Sequence, residues 1–212
     1  MNVDELRTHY MQQGLRRSAL KSDPYEQFEL WFGDAIDSGI PEPTAMCIAT
    51  VAADGQPWQR MVLLKVFDRK GFVFFTNYSS RKAGQIGSNP KVSLLFPWHA
   101  LGRQVKVTGE AVRISAAESL KYFMTRPRGS QIGAWASPQS QVIKSRALLD
   151  AMVEEMKEKF AAGHIPLPSH WGGYRVTADT MEFWQGRDNR LHDRFIYRQI
   201  TAGEWSIDRL AP

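Results

Sequence analysis

Thr44-Ala45-Met46-Cys47-Ile48-Ala49-Thr50-Val51-Ala52-Ala53, then Asp54-Gly55, then Gln59-Arg60-Met61-Val62-Leu63-Leu64-Lys65-Val66-Phe67 is the stretch on which the fold turns. Two apolar, β-branched runs separated by Asp-Gly form a strong short-range hairpin signal. Asp68-Arg69-Lys70-Gly71 then turns the chain into a further strand over residues 72–76. The same patterning predicts strands near residues 92–97, 104–114, 174–177, 181–185, 191–198 and 205–210. Strands joined by tight turns run antiparallel. With helices inserted between blocks of strands, the pattern predicts an α+β fold with a barrel-like sheet rather than a parallel α/β fold. No Gly-x-Gly-x-x-Gly follows a strand, which argues against a dinucleotide-binding domain.

The helices announce themselves by their caps. Asp23, Pro24 and Glu26 have the spacing of a helix start, and Gly39 and Pro41 end that helix. Phe28, Trp31, Phe32, Ala35 and Ile36 lie on one face of it, a stripe that must dock on something. A second subunit is one candidate surface. Ser79-Ser80-Arg81-Lys82 opens a short helix closed by Asn89-Pro90, and Ser115-Ala116-Ala117-Glu118 opens another running to about residue 125. Residues 127–139, rich in Gly, Ser and Pro, read as a loop, and residues 145–161 as the longest helix. The polar residues 1–20 read as a mobile segment with a short helix near residues 3–11, and residues 21–212 as one domain.

The chain has 212 residues, of which 43% are hydrophobic, enough for one substantial core. Its 27 basic and 22 acidic residues give a net charge of +5. The basic residues come in scattered pairs rather than a block, which suits small phosphate sites better than a nucleic acid. Cys47 is the one cysteine, so neither an internal disulfide nor a multi-cysteine metal site can form. The histidines lack metal-ligand spacing, so no metal is expected. Neither a signal-peptide pattern nor a membrane-length apolar run is present, and the expectation is a cytoplasmic protein with no membrane partner.

Several groups of residues have the chemistry of a site. Arg190, His192 and Arg194 alternate, so on a strand they would point the same way, roughly 6–7 Å apart. That row is either a floor for an anionic ligand or a solvated sheet edge with Asp193 as partner. Ser80 with Arg81 and Lys82 at a helix start is either a phosphate site or a cap with two solvated cations. Arg60 and Lys65, five residues apart, face opposite sides of a regular strand unless it is bulged. Tyr122, Arg126 and Ser130 offer two hydroxyls and a guanidinium around a helix end, and Arg126 there is either a ligand contact or a complement to the helix dipole. Trp184 is either core or the wall of a flat ligand.

Taken together these motifs resemble the pyridoxine (pyridoxamine) 5′-phosphate oxidase family. The resemblance rests on residues 59–65, 80–82, 130–135, 182–186, 190–194 and 208–212, in order and over nearly the whole chain. It implies an antiparallel split β-barrel with peripheral helices, forming a homodimer that binds FMN between subunits. Arg60, Met61, Val62, Leu63, Leu64, Lys65, Phe75, Thr76, Arg81, Lys82, Gln104, Gln139, Ser140, Trp184 and Arg194 would then contact FMN. Lys65, Tyr122, Arg126 and Ser130 would hold the substrate phosphate. Arg190 and His192 would lie over the pyridine ring as the catalytic pair, and Arg7 and Tyr10 would cover the site. Glu42-Pro43-Thr44 departs from the Asp-Pro-Thr of the family. The implied reaction oxidises pyridoxine 5′-phosphate or pyridoxamine 5′-phosphate to pyridoxal 5′-phosphate, molecular oxygen being reduced to hydrogen peroxide. The alternatives are another split-barrel flavin oxidoreductase, or a non-catalytic carrier of FMN or pyridoxal phosphate. A pure FMN carrier has no use for a second phosphate site.

Overall fold

The hairpin signal at Asp54-Gly55 produces the first two strands of a computed structural model that describes residues 14–212. Strand β1 (Ala45–Val51) pairs antiparallel with β2 (Pro57–Leu63), Ala45 facing Leu63 and Val51 facing Pro57. The second arm of the hairpin is not continuous, as the sequence suggested, but breaks after Leu63. Leu64 N–H still donates to Thr44 O, whereas Lys65 N–H donates to Val73 O. The chain thus leaves β1 and becomes β3 (Val66–Asp68), paired with β4 (Gly71–Asn77). Lys65 sits at this corner, so its facing is not set by alternation from Arg60.

The remaining strands are β5 (Lys91–Trp98), β6 (Arg103–Arg113), β7 (Trp171–Gln185), β8 (Asp193–Thr201) and β9 (Glu204–Leu210). The nine-stranded sheet runs β2-β1-β5-β6-β7-β4-β3, with β8 and β9 branching from β7. Because β2 and β3 adjoin at Leu64-Lys65, the two ends of that path meet and the sheet curls into a split barrel. Residues 174–177 and 181–185, expected as two strands, are parts of the single strand β7. Its first half pairs with β4 and its second with β8, while β6 follows it throughout, with a register shift at Thr108/Gly109. Gly109 permits that bulge, since a Cβ there would overlap the Thr177 carbonyl.

Alternation fills the barrel with Met46, Ile48, Phe72, Phe74, Leu94, Phe96, Val105, Val107, Phe183 and Tyr197, all at most 2% exposed or fully buried. Helix α1 (Pro24–Asp37), capped by the Asp23 side chain on Tyr25 N–H, closes one mouth. Phe28 meets Phe67, Phe72, Phe96 and Trp98 with ring centroids 4.8–5.7 Å apart. The stripe is therefore buried on the chain's own barrel and needs no second subunit, with Ile36 at its end left exposed. Truncating a phenylalanine so placed costs about 3–5 kcal/mol.

Helix α2 (Arg81–Ser88) follows β4, and α3 (Ala116–Thr125) starts with both bonds of the Ser115/Glu118 capping box. Residues 127–139, read from sequence as a loop, contain helix α4 (Arg128–Ala136). Gly129 and Gly133 hide it from propensity, but Ile132, Trp135 and Ala136 keep helical spacing. Helix α5 (Arg146–Lys159) is capped by Ser145. Phe123, Ile132, Phe160, Ile165 and Trp171 form a second, smaller core beneath these helices.

At the other end, Leu15 N–H donates to Asp193 Oδ2 at 3.0 Å and Tyr197 O–H to Lys21 O at 2.8 Å, which hold residues 15–21 against β8. Residues 1–13, including Arg7, Tyr10 and the helix expected over 3–11, lie outside the described residues.

Candidate active site

A cavity of about 420 Å³ opens where the barrel corner faces the second core. That size suits a small-molecule ligand. The β2 corner supplies Met61, Val62, Leu63 and Lys65; β4 supplies Phe75 and Thr76; α2 supplies Lys82. Tyr122, Arg126, Ser130 and Gln139 complete the lining from α3, α4 and the segments that follow them. The structure thus brings together residues assigned to a cofactor and residues assigned to a substrate phosphate. Phe75, Tyr122 and Trp171 build one wall as a stack, with Phe75 and Tyr122 ring centroids 4.0 Å apart.

The electrostatics are one-sided. Among the described residues no ion pair involves Arg60, Lys65, Arg81, Lys82 or Arg126, although acids pair with cations elsewhere on the chain. Arg126 is the sharpest case. Its guanidinium lies 4.6 Å from the Trp171 ring centroid, and its Nη1 is buried with no hydrogen-bond partner among the described residues. Burial lowers its pKa from the ordinary arginine value, against the opposing influence of Tyr122. A buried, unpaired guanidinium is costly unless an anion completes it. Ser130 lies in the first turn of α4, whose N-cap residue Pro127 makes no side-chain bond and accepts the Ser130 N–H at its carbonyl.

The second group of cations gathers at α2. Ser80 accepts from Ala83 N–H as the cap. Lys82, 8% exposed, donates to Gln139 Oε1 at 2.8 Å and Thr76 Oγ1 at 3.0 Å. Burial, with Arg60 adding to it, pushes the Lys82 ammonium down to about 8. Arg81 turns aside, its guanidinium 4.2 Å from the Trp58 ring centroid. Leu64 points into the barrel core, and Ser140, in a left-handed conformation, lies exposed beside Gln139.

The expected row at 190, 192 and 194 is not on one strand face. Residues 188–190 form a short helical turn, and Asn189 and Arg190 both have positive φ, 57° and 61°. Strand β8 begins only at Asp193, so alternation does not reach Arg190 or His192. Nor does Asp193 partner that row. It binds Arg209 Nη1 at 2.6 Å and Leu15 N–H, with Arg187 at 3.9 Å.

A different alignment replaces the row. Gln104 on β6, Trp184 on β7 and Arg194 on β8 stand abreast in register across three strands. His192 packs at a tilt against Trp184 with centroids 4.5 Å apart. Its Nδ1 accepts from Arg187 N–H at 3.1 Å, which leaves the proton of the neutral ring on Nε2. Arg194 donates to Glu182 Oε1 and Ala211 O, both at 2.9 Å. Burial raises the Glu182 carboxyl pKa, but Arg194 and Lys106 outweigh it and leave it lowered. None of Gln104, Trp184, Arg190, His192 or Arg194 lines the cavity of the same chain.

Sequence reasoning missed Glu182 as the anchor of Arg194, and Thr50 and Gln85 as the partners of Arg60. Cross-strand register and helix-to-strand packing put these residues together, and neither leaves a mark in local periodicity.

Barrel and cleft define a split-barrel protein with a cation-lined cavity. A family model described as pyridoxamine 5′-phosphate oxidase matches residues 32–160. A second, described as the pyridoxine 5′-phosphate oxidase C-terminal dimerisation region, matches residues 171–212. Two curated relatives are named pyridoxine/pyridoxamine 5′-phosphate oxidase. That of Yersinia enterocolitica is 56% identical, covering 100% of this chain and 97% of its own. That of Teredinibacter turnerae is 58% identical and covers 100% of both. Among solved structures, PhzG from Burkholderia lata in complex with tetrahydrophenazine-1-carboxylic acid superposes with a TM-score of 0.86 at 28% identity, covering 93% of this chain and 98% of that one. A pyridoxamine 5′-phosphate oxidase-related, FMN binding protein from Nostoc punctiforme has a TM-score of 0.71 at 16% identity, covers 91% of this chain and 100% of its own, and shares the fold. The chain belongs to the pyridoxine/pyridoxamine 5′-phosphate oxidase family. It is accordingly an enzyme, and no helix among its described residues is long and apolar enough to cross a membrane.

Proposed function

We propose that this chain oxidises pyridoxine 5′-phosphate and pyridoxamine 5′-phosphate to pyridoxal 5′-phosphate with bound FMN, oxygen being reduced to hydrogen peroxide. The observation that carries the reading is the pair of cation groups with no carboxylate partner among the described residues, one around Arg126 and one around Lys82, for two ligands that each bear a phosphate. The α2 N-terminus with Arg60 and Lys82 fits the FMN phosphate, and Lys65, Tyr122, Arg126 and Ser130 fit that of the substrate. When bound, FMN supplies the two-electron acceptor. The protein's part is to bind, orient and exclude water. Arg126 and Lys65 fix one end of the substrate, the Phe75–Tyr122–Trp171 stack gives the cleft a flat apolar wall, and Arg190 with the His192 Nε2–H orients the pyridine. The 28% identical relative, solved with a phosphate-free carboxylic acid, suggests an oxidase of another substrate as the second reading. The half-buried Arg126, with its Nη1 enclosed, favours a phosphorylated one. We place the reaction in the cytoplasm, which suits the unpaired Cys47.

We further propose a homodimer in which Gln104, Trp184, Arg190, His192 and Arg194 complete the partner's cavity. Support comes from their absence from the cavity of their own chain and from the dimerisation region matched at residues 171–212. Mixing Arg126→Ala and Arg194→Ala protomers tests it. In a heterodimer one site carries both changes and the other neither, so random mixing should restore roughly a quarter of wild-type activity. If each site lay within one chain, mixing would restore nothing.

Lys82 gives a separate prediction. The unfolded chain keeps this proton up to about 10.5, the folded one only to about 8. Between those values the unfolded state binds more protons, so this group's contribution to stability rises with pH, and below pH 8 its buried charge costs stability. Lys82→Met should therefore leave the cofactor-free protein at least as stable at pH 7 and flatten that rise, while FMN retention falls. Denaturation at pH 7 and 9.5 with a parallel FMN titration checks both, and a clear loss of stability at pH 7 would contradict it.

A further inference from the structure

Arg60 is held in the same manner as Lys82. Its Nη1 donates to Thr50 Oγ1 at 2.5 Å and its Nη2 to Gln85 Oε1 at 3.2 Å, and Thr50 O–H donates to that same Gln85 oxygen at 2.6 Å. Lys82 is gripped by Thr76 and Gln139, which are likewise bonded to each other at 3.0 Å. Each cation thus rests on one hydroxyl and one amide oxygen of a linked Thr–Gln pair, and Arg60 Nη1 donates in addition to Trp58 O at 3.1 Å and Ile48 O at 3.4 Å, also neutral acceptors. A carboxylate would hold either cation more tightly, but would also cancel its charge. Thr50 is fully buried and Gln85 7% exposed, so neither has a surface role. Gln85 lies on α2, within one turn of Lys82, so the helix that presents Ser80, Arg81 and Lys82 also orients Arg60 from the barrel wall. The three cations are close enough to depress one another: Arg81 lowers Arg60, and Arg60 lowers Lys82.

We infer that Thr50 and Gln85 are positioning residues for FMN phosphate capture, orienting Arg60 beside Lys82 through neutral acceptors that leave its charge uncancelled. The inference rests on the reading of the α2 cluster as the FMN phosphate site.

Gln85→Glu keeps shape and hydrogen bonds while adding the charge that the native pair avoids. FMN and riboflavin, which differ by the phosphate, are titrated into cofactor-free wild type, Gln85→Glu, Thr50→Val and Thr50→Ser. Gln85→Glu should fold with an unchanged or higher melting temperature, yet bind FMN roughly 10- to 100-fold more weakly, with riboflavin affinity unchanged. Thr50→Val should lose FMN affinity and Thr50→Ser, which keeps the hydroxyl, should recover it. Wild-type FMN affinity in Gln85→Glu, or equal loss of FMN and riboflavin, overturns the inference while leaving the site's reading intact. A wild-type protein that binds FMN no better than riboflavin overturns the phosphate reading itself, and the clamp with it.

Discussion

Arg126→Ala should lower kcat/KM for pyridoxamine 5′-phosphate by roughly a hundredfold or more while the protein keeps its FMN. The magnitude follows from burial. Nη1 is buried and has no hydrogen-bond partner among the described residues, so part of the guanidinium is desolvated in advance and an arriving phosphate meets it without competition from a described carboxylate. Removing one member of a buried charged contact costs roughly 2–5 kcal/mol, and about 2.7 kcal/mol is a hundredfold. The substitution also removes the guanidinium from the Trp171 face, so a drop in melting temperature is expected and is measured alongside. The discriminating control is phosphate-free pyridoxine. Its poor turnover should be nearly the same in wild type and variant, because the lost contact was never made. Equal losses for the two substrates would mean that Arg126 supports the wall rather than the phosphate.

Arg190→Ala and Arg194→Ala should fail in different ways, although only four residues separate them. Arg194 is fixed on β8 by Glu182 and the Ala211 carbonyl, abreast of Trp184 and Gln104. Arg190 sits on a positive-φ turn with an exposed side chain, free of the strand's alternation. Under the proposed assignment, Arg194→Ala loses FMN and regains activity in excess FMN. Arg190→Ala stays yellow and loses on the order of a hundredfold in kcat/KM, which excess FMN does not repair. Arg194→Lys separates charge from the fork geometry that serves Glu182 and the chain terminus together. Flavin titration and steady-state kinetics on all three variants decide the matter. Flavin loss in Arg190→Ala with retention in Arg194→Ala would reverse the two roles, and identical behaviour would reduce both to a general attraction for anions.

What could be read from the sequence was local. Asp54-Gly55 set the first hairpin, and Ser115 with Glu118 marked the start of α3 by chemistry that involves four consecutive residues. The α1 stripe revealed a buried face but not its partner, which proved to be the barrel's own aromatic core. Helix α4 escaped because Gly129 and Gly133 suppress propensity, whereas packing of Ile132 and Ala134 on Phe123 and Trp171 decides its form. Residues 190–194 alternate in charge like a strand, but Asp188-Asn189 is a turn signal that tolerates positive φ, and the turn prevailed. Individual site residues stood out by type. Their grouping depended on β6–β7–β8 register and on the packing of α2 against β1, which are tertiary facts.

The central claim is that one cleft holds FMN and a phosphorylated pyridine together so that oxidation passes between them. Its most direct measurement is the flavin absorbance of the FMN-reconstituted protein mixed with pyridoxamine 5′-phosphate in the absence of oxygen. The account predicts that the yellow band bleaches on mixing as one pyridoxal 5′-phosphate forms per flavin, that admitting oxygen restores it, and that the hydrogen peroxide then formed equals the total pyridoxal 5′-phosphate. A protein that binds FMN in its cleft yet keeps its full yellow band with saturating pyridoxamine 5′-phosphate would contradict it.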